Sequence, residues 1–119
     1  ALDETSGEEL SAFARPQAER VLTEQTAAAL RTMLEQTVAE GTAQDASDLP
    51  GGAAGKTGTA QTGQFTAEGK ERMNLWFAGF YPAEDPQYTI VVLQDGQMQA
   101  AVSSAAVFAQ LCTALHWLG

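Results

Sequence analysis

Lys56, Thr57 and Thr59 are the residues of this sequence whose types and spacing most suggest chemistry. They lie in the segment GGAAGKTGTAQTG, residues 51–63, which has no aliphatic side chain larger than alanine. The segment presents one ammonium group and several hydroxyl groups along a backbone that another molecule can approach closely, because glycine and alanine offer little obstruction. Two kinds of site fit it: a loop that cradles phosphate, or an edge strand that grips a peptide-like ligand.

A phosphate-binding loop requires the pattern G-x-x-x-x-G-K-[ST], and the sequence misses it. Gly55, Lys56 and Thr57 match the last three positions, but Pro50 stands where the first glycine is required. Such a loop also follows a buried strand and opens a helix. Residues 44–52 show no strand pattern, and the residues after Lys56 have poor helix propensity. The sequence therefore disfavours nucleotide binding.

An edge strand over residues 54–61 is the better interpretation. An extended ligand pairs with such an edge through main-chain hydrogen bonds, and glycine in a strand indicates close approach rather than packing. Lys56 would supply a positive charge, and Thr57 and Thr59 would supply hydroxyl groups, to bind a ligand carboxylate. On these residues alone, a glycine-rich surface hairpin without function stays open as the alternative.

The composition excludes several classes of function. The chain has 119 residues, enough for one modest domain, and 45% of them are hydrophobic, which fits a globular fold. The formal net charge of -9 opposes association with nucleic acid. One cysteine, Cys112, excludes an internal disulfide, and with one histidine, His116, we expect no metal site and no cofactor. Cys112 is expected to be a buried, inert thiol.

Two helices are predicted from helical periodicity and capping residues. Thr23 caps a helix over about residues 24–40, and Gly41 ends it. Its apolar stripe consists of Leu30, Met33, Leu34, Thr37 and Val38. Ser103 or Ser104 caps a second helix over about residues 103–118. The stripe of the second helix consists of Val107, Phe108, Leu111, Cys112, Leu115 and Leu118, and His116 lies in its last turn.

Three strands are predicted between the helices, over about residues 54–61, 74–81 and 88–94, and they form an antiparallel meander. The second and third strands are apolar on both faces, so both faces should be covered. Trp76 and Phe77 are expected to belong to the core. The fold class is α+β with both helices packed on the sheet, but two helices of this size cover one face and not two.

Three segments of the sequence resemble the transpeptidase domain of penicillin-binding proteins. Lys56-Thr57-Gly58 matches the K-T-G box of penicillin-binding proteins and serine β-lactamases. The segments VAEGTA at residues 38–43, AGKTGTAQ at residues 54–61 and WFAGFYP at residues 76–82 are similar to that domain, in the same order and at compatible spacing. The resemblance implies that residues 18–119 are the C-terminal portion of such a domain, preceded by an irregular or hairpin lead-in over residues 1–17.

This resemblance implies a D,D-transpeptidase that cross-links peptidoglycan stem peptides through a serine acyl-enzyme and that binds β-lactams. Lys56 would then help to hold the substrate carboxylate and influence the hydroxyl group of the S-x-N box, and the hydroxyl groups of Thr57 and Thr59 would bind that carboxylate. The backbone N–H of Thr59 would be one of two oxyanion-hole donors, and Gly58 would keep the path of the acyl group clear. The parent protein would be membrane-anchored, with this domain at the extracytoplasmic face of the bacterial cell membrane, whereas the sequence at hand predicts a soluble polypeptide.

The reactive serine of that family is not recognisable in this sequence. The serines are Ser6, Ser11, Ser47, Ser103 and Ser104, and none has a lysine three positions later. No S-x-N or Y-x-N box exists either. In the family these boxes precede the K-T-G strand, as does the first hairpin of the sheet. We therefore expect a fragment that lacks the N-terminal part of its domain, cannot be acylated alone, and self-associates through the free edge and face of its sheet.

Three alternatives remain open. A β-lactamase shares the K-T-G box, and its hydrolysis needs a deacylating water that this segment does not position. A penicillin-binding-like module that has lost its serine would serve only in binding or sensing. An unrelated scaffold could carry a coincidental K-T-G sequence.

Overall fold

The computed structural model describes residues 5–7, 14, 16–99 and 101–119. Its elements are α1 (Glu24–Glu40), a turn of 3-10 helix (Gln44–Ala46), β1 (Ala54–Phe65), β2 (Glu71–Tyr81), β3 (Tyr88–Gln97) and α2 (Ser104–Leu118). The strands form an antiparallel sheet in the order β1-β2-β3. The predicted α+β fold, with its meander and two helices, is confirmed. Most of the predicted lead-in over residues 1–17 lies outside the described residues.

The register of the strands divides the side chains between two faces of the sheet. Thr57 pairs with Phe77, and Phe77 with Val92, so these three side chains share one face, which we call the α2 face. Lys56 pairs with Ala78, and because neighbouring side chains alternate, both lie on the opposite face, which we call the open face.

The core lies between the α2 face and α2. Phe77 and Phe108 are fully buried, and their ring centroids are 4.5 Å apart. The Ser104 hydroxyl donates to the main-chain oxygen of Leu75 at 2.9 Å and accepts from the Gln94 side-chain amide at 2.9 Å. These bonds tie the start of α2 to the sheet. Ser103 is the N-cap of α2, since its Oγ accepts the Ala106 N–H at 3.0 Å.

Helix α1 lies against β1 at one end of the sheet. Thr23 caps it as predicted, by accepting the Thr26 N–H at 3.1 Å. Val38 is its buried residue, and it joins the core cluster. The predicted stripe is wrong at Leu30 and Met33, which are exposed. Leu30 lines an open groove together with Leu34 and Phe80, so it lies towards the sheet without being covered. The helical period of the sequence therefore did not mark a buried face there.

Gly41 ends α1, but not through the left-handed conformation that usually makes glycine a helix stop. Its φ is -104°, and its N–H donates to the Thr37 main-chain oxygen at 3.0 Å. A Cβ at Gly41 would lie 2.8 Å from that same oxygen. Glycine is therefore required by close approach to the preceding turn.

Strands β1 and β2 extend beyond the predicted limits of 61 and 74. The ladder is irregular between Gln61 and Phe65. The Glu71 carboxylate accepts the Gln61 side-chain amide at 3.0 Å and the Gly63 N–H at 2.9 Å, which holds the two strands together there. Side-chain bonds of this kind leave no period in the sequence, so the prediction ended β1 too early and began β2 too late.

The open face is apolar and partly exposed. Trp76, Val91 and Leu93 on this face are 38%, 58% and 44% exposed. The expectation that Trp76 belongs to the core is therefore wrong, whereas the same expectation for Phe77 is confirmed. Leu111 and Leu118 of α2 are exposed as well. No helix in the described part of the chain is long and apolar enough to cross a membrane.

Candidate active site

The K-T-G segment lies on an edge of the sheet. β1 pairs with β2 along one side, and no described strand pairs with its other side. Lys56, Gly58 and Thr59 are exposed and Thr57 is half-buried. The Thr57 main-chain oxygen accepts a bond from the Lys56 side chain and so faces the outer edge. Because main-chain groups in an antiparallel strand alternate in direction, the N–H of Thr59 faces the same edge.

The Lys56 ammonium group is held in place by three oxygen atoms. Lys56 Nζ lies 2.9 Å from the Thr57 main-chain oxygen, 3.2 Å from Thr57 Oγ1 and 3.4 Å from Thr42 Oγ1. The two threonine hydroxyl oxygens are 3.0 Å apart. The side chain of Lys56 thus starts on the open face and bends around the strand edge, which brings a cation to the side chain of Thr57.

Thr42 belongs to this site, and the sequence interpretation did not assign it a role. It follows Gly41 at the end of α1, and the main-chain N–H of Ala43 donates to the Thr37 oxygen at 3.3 Å, which fixes the turn that carries it. Its contact with Thr57 spans 15 positions in the sequence. The VAEGTA segment contains Thr42, but there it served only as evidence of resemblance.

A small depression of about 130 Å³ adjoins the strand edge. It is lined by Thr57, Gly58, Thr59, Leu75, Trp76, Ser103 and Ser104. Both serine hydroxyls are already used as donors, because Ser103 Oγ donates to the Asp45 carboxylate and Ser104 Oγ to the Leu75 main-chain oxygen. Neither serine has a lysine or histidine as a hydrogen-bond partner among the described residues. This arrangement does not activate either hydroxyl as a nucleophile.

The glycines of β1 have different surroundings. A Cβ at Gly55 would lie 2.7 Å from the Ala78 main-chain oxygen and would also meet the Phe77 ring. A Cβ at Gly58 would meet only the Trp76 Cβ, at 3.6 Å, which is an ordinary contact. Gly55 is therefore required by packing, whereas Gly58 leaves free space beside the site.

Cys112 and His116 take no part in the site. Cys112 is fully buried in the core, and burial raises the pKa of its thiol to about 11, so the predicted inert thiol is confirmed. His116 lies in the last turn of α2. Among the described residues, no group of three or more histidine, cysteine, aspartate or glutamate side chains is placed to bind a metal ion.

The structure thus brings Lys56 and Thr57 into direct contact and sets Gly58 and Thr59 along the same exposed edge. Within the described residues, the Thr59 hydroxyl makes no hydrogen bond to Lys56 or Thr57. The edge therefore offers a fixed ammonium group, hydroxyl groups at positions 57 and 59, and main-chain N–H groups that an extended ligand can use.

Known proteins resemble this chain in sequence and in fold. A sequence model of the penicillin binding protein transpeptidase domain matches residues 5–113. Stage V sporulation protein D of Bacillus subtilis (strain 168) is 39% identical over 79 residues, which are 64% of this chain and 12% of that protein. The peptidoglycan D,D-transpeptidase FtsI homolog of Chlorokybus atmophyticus is 36% identical over 86 residues, which are 70% of this chain and 12% of that protein.

A solved structure agrees with these sequence relatives. The D,D-transpeptidase domain of a peptidoglycan glycosyltransferase from Eggerthella lenta superposes with a TM-score of 0.67 at 29% identity, and the match covers 97% of this chain and 26% of that one. The chain thus spans a minor part of each of these proteins. Because the family model covers most of its length, the chain belongs to the penicillin binding protein transpeptidase domain family.

Proposed function

We propose that this chain forms one wall of the active site of a serine-type D,D-transpeptidase, which cross-links peptidoglycan stem peptides and is acylated by β-lactams. The observation that carries the proposal is the position of Lys56-Thr57-Gly58 on an exposed edge of β1, with the Lys56 ammonium group fixed against Thr57. Membership of the family supports it. So do the Chlorokybus and Eggerthella relatives, both of which are described as D,D-transpeptidases.

Ligand binding would use the edge in two ways. A stem peptide would lie along β1 as an added strand and pair with its outward main-chain groups. The terminal carboxylate of the peptide, or the carboxylate of a β-lactam, would accept hydrogen bonds from the hydroxyl groups of Thr57 and Thr59 beside the positive charge of Lys56. Hydrogen bonds to a charged group are stronger than neutral ones, so this end of the ligand would be the better anchored.

The acyl-transfer step would use the main-chain N–H of Thr59. It faces the outer edge, where it would stabilise the oxyanion together with the N–H of the reacting serine. Loss of one such donor typically costs on the order of 3 kcal/mol of transition-state stabilisation. Gly58 would leave room for the acyl group, because even a Cβ there would make only an ordinary contact, 3.6 Å from the Trp76 Cβ.

The reacting serine would come from polypeptide outside residues 1–119. The serines beside the strand edge, Ser103 and Ser104, have their hydrogens bonded to other oxygens. The remainder of the transpeptidase domain would supply the S-x-x-K and S-x-N boxes. Since peptidoglycan is assembled outside the cell, the parent protein would be membrane-anchored with this domain at the extracytoplasmic face.

A chimera tests the proposal. This chain replaces the matching segment of the Eggerthella lenta domain, and the rate of acylation by a fluorescent penicillin is measured. Because Lys56 would support the ligand carboxylate, Lys56→Ala should slow acylation by at least about tenfold, as expected for a lost charged hydrogen bond.

Lys70→Ala is the matched control, since Lys70 is the only other lysine of the sequence and is exposed between β1 and β2. It should leave the rate of acylation unchanged. Circular dichroism would establish that each chimera is folded. A folded chimera that is never acylated, or one in which both lysine substitutions have the same effect, would contradict the proposal.

A further inference from the structure

We propose that Thr42 is a positioning residue of this site: its hydroxyl group donates to Thr57 Oγ1 and thereby directs the Thr57 hydroxyl hydrogen toward the carboxylate of the ligand. The inference rests on the proposed function, because it assigns a role within the same carboxylate-binding edge. It concerns a residue that lies outside the K-T-G box and outside the sheet.

The number of hydrogen bonds that each group can make limits the possible arrangements of the three side chains. A threonine hydroxyl donates one hydrogen and accepts two bonds, whereas an ammonium group donates three and accepts none. Lys56 Nζ has three oxygens in reach: the Thr57 main-chain oxygen, Thr57 Oγ1 and Thr42 Oγ1. Both hydroxyl oxygens therefore accept from Lys56, and the 3.0 Å contact between them requires one to donate to the other.

A carboxylate ligand decides which hydroxyl donates. An ionised carboxylate is an acceptor only, so Thr57 can bind it only with its single hydrogen. That hydrogen is then no longer available to Thr42. The hydrogen of the contact must come from Thr42, and Thr57 Oγ1 accepts from both Lys56 and Thr42 while it donates outward.

This arrangement would make Thr57 a preoriented and polarised donor. With both acceptor positions of Thr57 filled, its hydrogen has one remaining direction, and donation from a cation strengthens the bond that it makes in turn. Preorganisation lowers the cost of ordering side chains when a ligand binds. Thr42 is suited to this role because the turn at the end of α1 is fixed by two bonds to the Thr37 main-chain oxygen, from the N–H groups of Gly41 and Ala43.

The first test uses the chimera and two ligands. Thr42→Val keeps the shape and β-branch of the side chain but removes the hydroxyl group. It should slow acylation by a fluorescent penicillin by about five- to tenfold, while acylation by the corresponding methyl ester, which lacks the charged carboxylate, should change by less than about twofold. Thr42→Ser restores the hydroxyl group and should restore the rate with the free carboxylate.

Thr32→Val is the matched control, since the Thr32 hydroxyl bonds within α1 to the Ala28 main-chain oxygen. It should change neither rate. Equal losses for the carboxylate and the ester in Thr42→Val would show a merely structural role and would overturn the inference. So would an unchanged rate with the carboxylate, in a chimera where Lys56→Ala is impaired. Failure of the proposed function itself would look different, because the unsubstituted chimera would then show no acylation to lose.

A second test needs no activity and uses the chimera without the antibiotic. NMR detects a lysine ammonium group when its hydrogens exchange slowly with water. Lys56 should give such a signal, and Thr42→Val should raise its hydrogen exchange rate by about threefold or more, because one of three acceptors is lost. The signal of Lys70 should not change. A Lys56 signal that exchanges as fast as that of Lys70, or one that is insensitive to Thr42→Val, would overturn the inference.

Discussion

At the scale of single residues, Lys56 combines exposure with order. A long surface side chain normally loses conformational entropy when it is held in one geometry, which is why exposed lysines contribute little to stability. Here the ammonium group has three oxygen acceptors from Thr57 and Thr42. The ammonium group is therefore held in one position before a ligand binds, which lowers the entropic cost of binding a charged group.

The residues of the K-T-G box could be predicted from the sequence, whereas their partner Thr42 could not. Lys56, Thr57, Gly58 and Thr59 are adjacent in sequence and match a known pattern. Thr42 reaches them only because the turn after α1 folds back on β1, and no local period reports such a contact. The misassignment of Trp76 has a related cause, since an aromatic residue in an apolar strand does not reveal whether a neighbouring element covers it.

Cys112 should make the free energy of unfolding depend on pH in the alkaline range. Burial raises the pKa of the thiol from an ordinary value of 9.0 to about 11. Between these values the unfolded chain has released its proton and the folded chain retains it, so the free energy of unfolding should fall as pH rises from 9 to 11. The contribution of the thiol is fully present below pH 9, the ordinary value.

Chemical denaturation at several pH values measures this dependence. The comparison is with Cys112→Ala, which cannot titrate at this position. The difference in unfolding free energy between the chain and this variant should change by up to about 1.4 kcal/mol per pH unit within the window. Tyr81 is present in both proteins, and burial raises its pKa in both, but the neighbouring Cys112 raises it further only in the original chain. A difference that stays constant from pH 8 to 11 would contradict the assignment.

At the scale of elements, β1 must meet two structural requirements. It must pack closely on β2 at Gly55, which faces Gly79, and it must leave its outer edge accessible at positions 57–59. Gly55→Ala should therefore lower the free energy of unfolding by about 1–3 kcal/mol, because the added methyl group meets backbone and a buried ring.

Gly58→Ala is the matched substitution within the same strand. Its Cβ has room, so the stability should stay within about 0.5 kcal/mol of the original chain. In the chimera, the same substitution should slow acylation, because it narrows the space proposed for the acyl group. Urea denaturation of both variants checks the first expectation. Equal destabilisation by the two substitutions would refute the distinction between a packing glycine and a site glycine.

The existence of the elements could be predicted more fully than their ends. Thr23 and Ser103 cap the two helices through local bonds that a sequence reveals, and both are confirmed. The ends of β1 and β2 depend on Glu71, which bonds across the ladder. The sequence predicted correctly that α1 ends at Gly41. Glycine is needed there, however, because a Cβ would contact the preceding turn, and not because the residue adopts a left-handed conformation.

At the scale of the whole molecule, the main feature is an apolar sheet face that the described helices do not fully cover. α2 covers one face, and α1 lies at the end of the other, where the Arg31 guanidinium lies 5.9 Å from the centre of the Phe80 ring. Trp76, Val91 and Leu93 remain exposed. The apolar character of both strand faces predicted this imbalance, because two helices were too few to cover both faces.

Self-association of the chain in isolation is the expected result. An open apolar face and free strand edges favour pairing between copies. Light scattering over a range of concentrations should show growing particles, and Val91→Lys should suppress them. Val21→Lys is the matched control, since Val21 is 84% exposed and lies before α1, outside the sheet. A strict monomer at high concentration would count against this expectation.

The most direct test of the central claim is to locate the covalent adduct of a penicillin by mass spectrometry. The chain alone and the Eggerthella chimera are each incubated with the antibiotic, digested and sequenced. The account predicts no adduct on the chain alone and, in the chimera, one acylated serine in a peptide from the Eggerthella part. An adduct on any serine within residues 1–119 would contradict it, because the nucleophile would then lie in the chain that we describe as a substrate-binding wall.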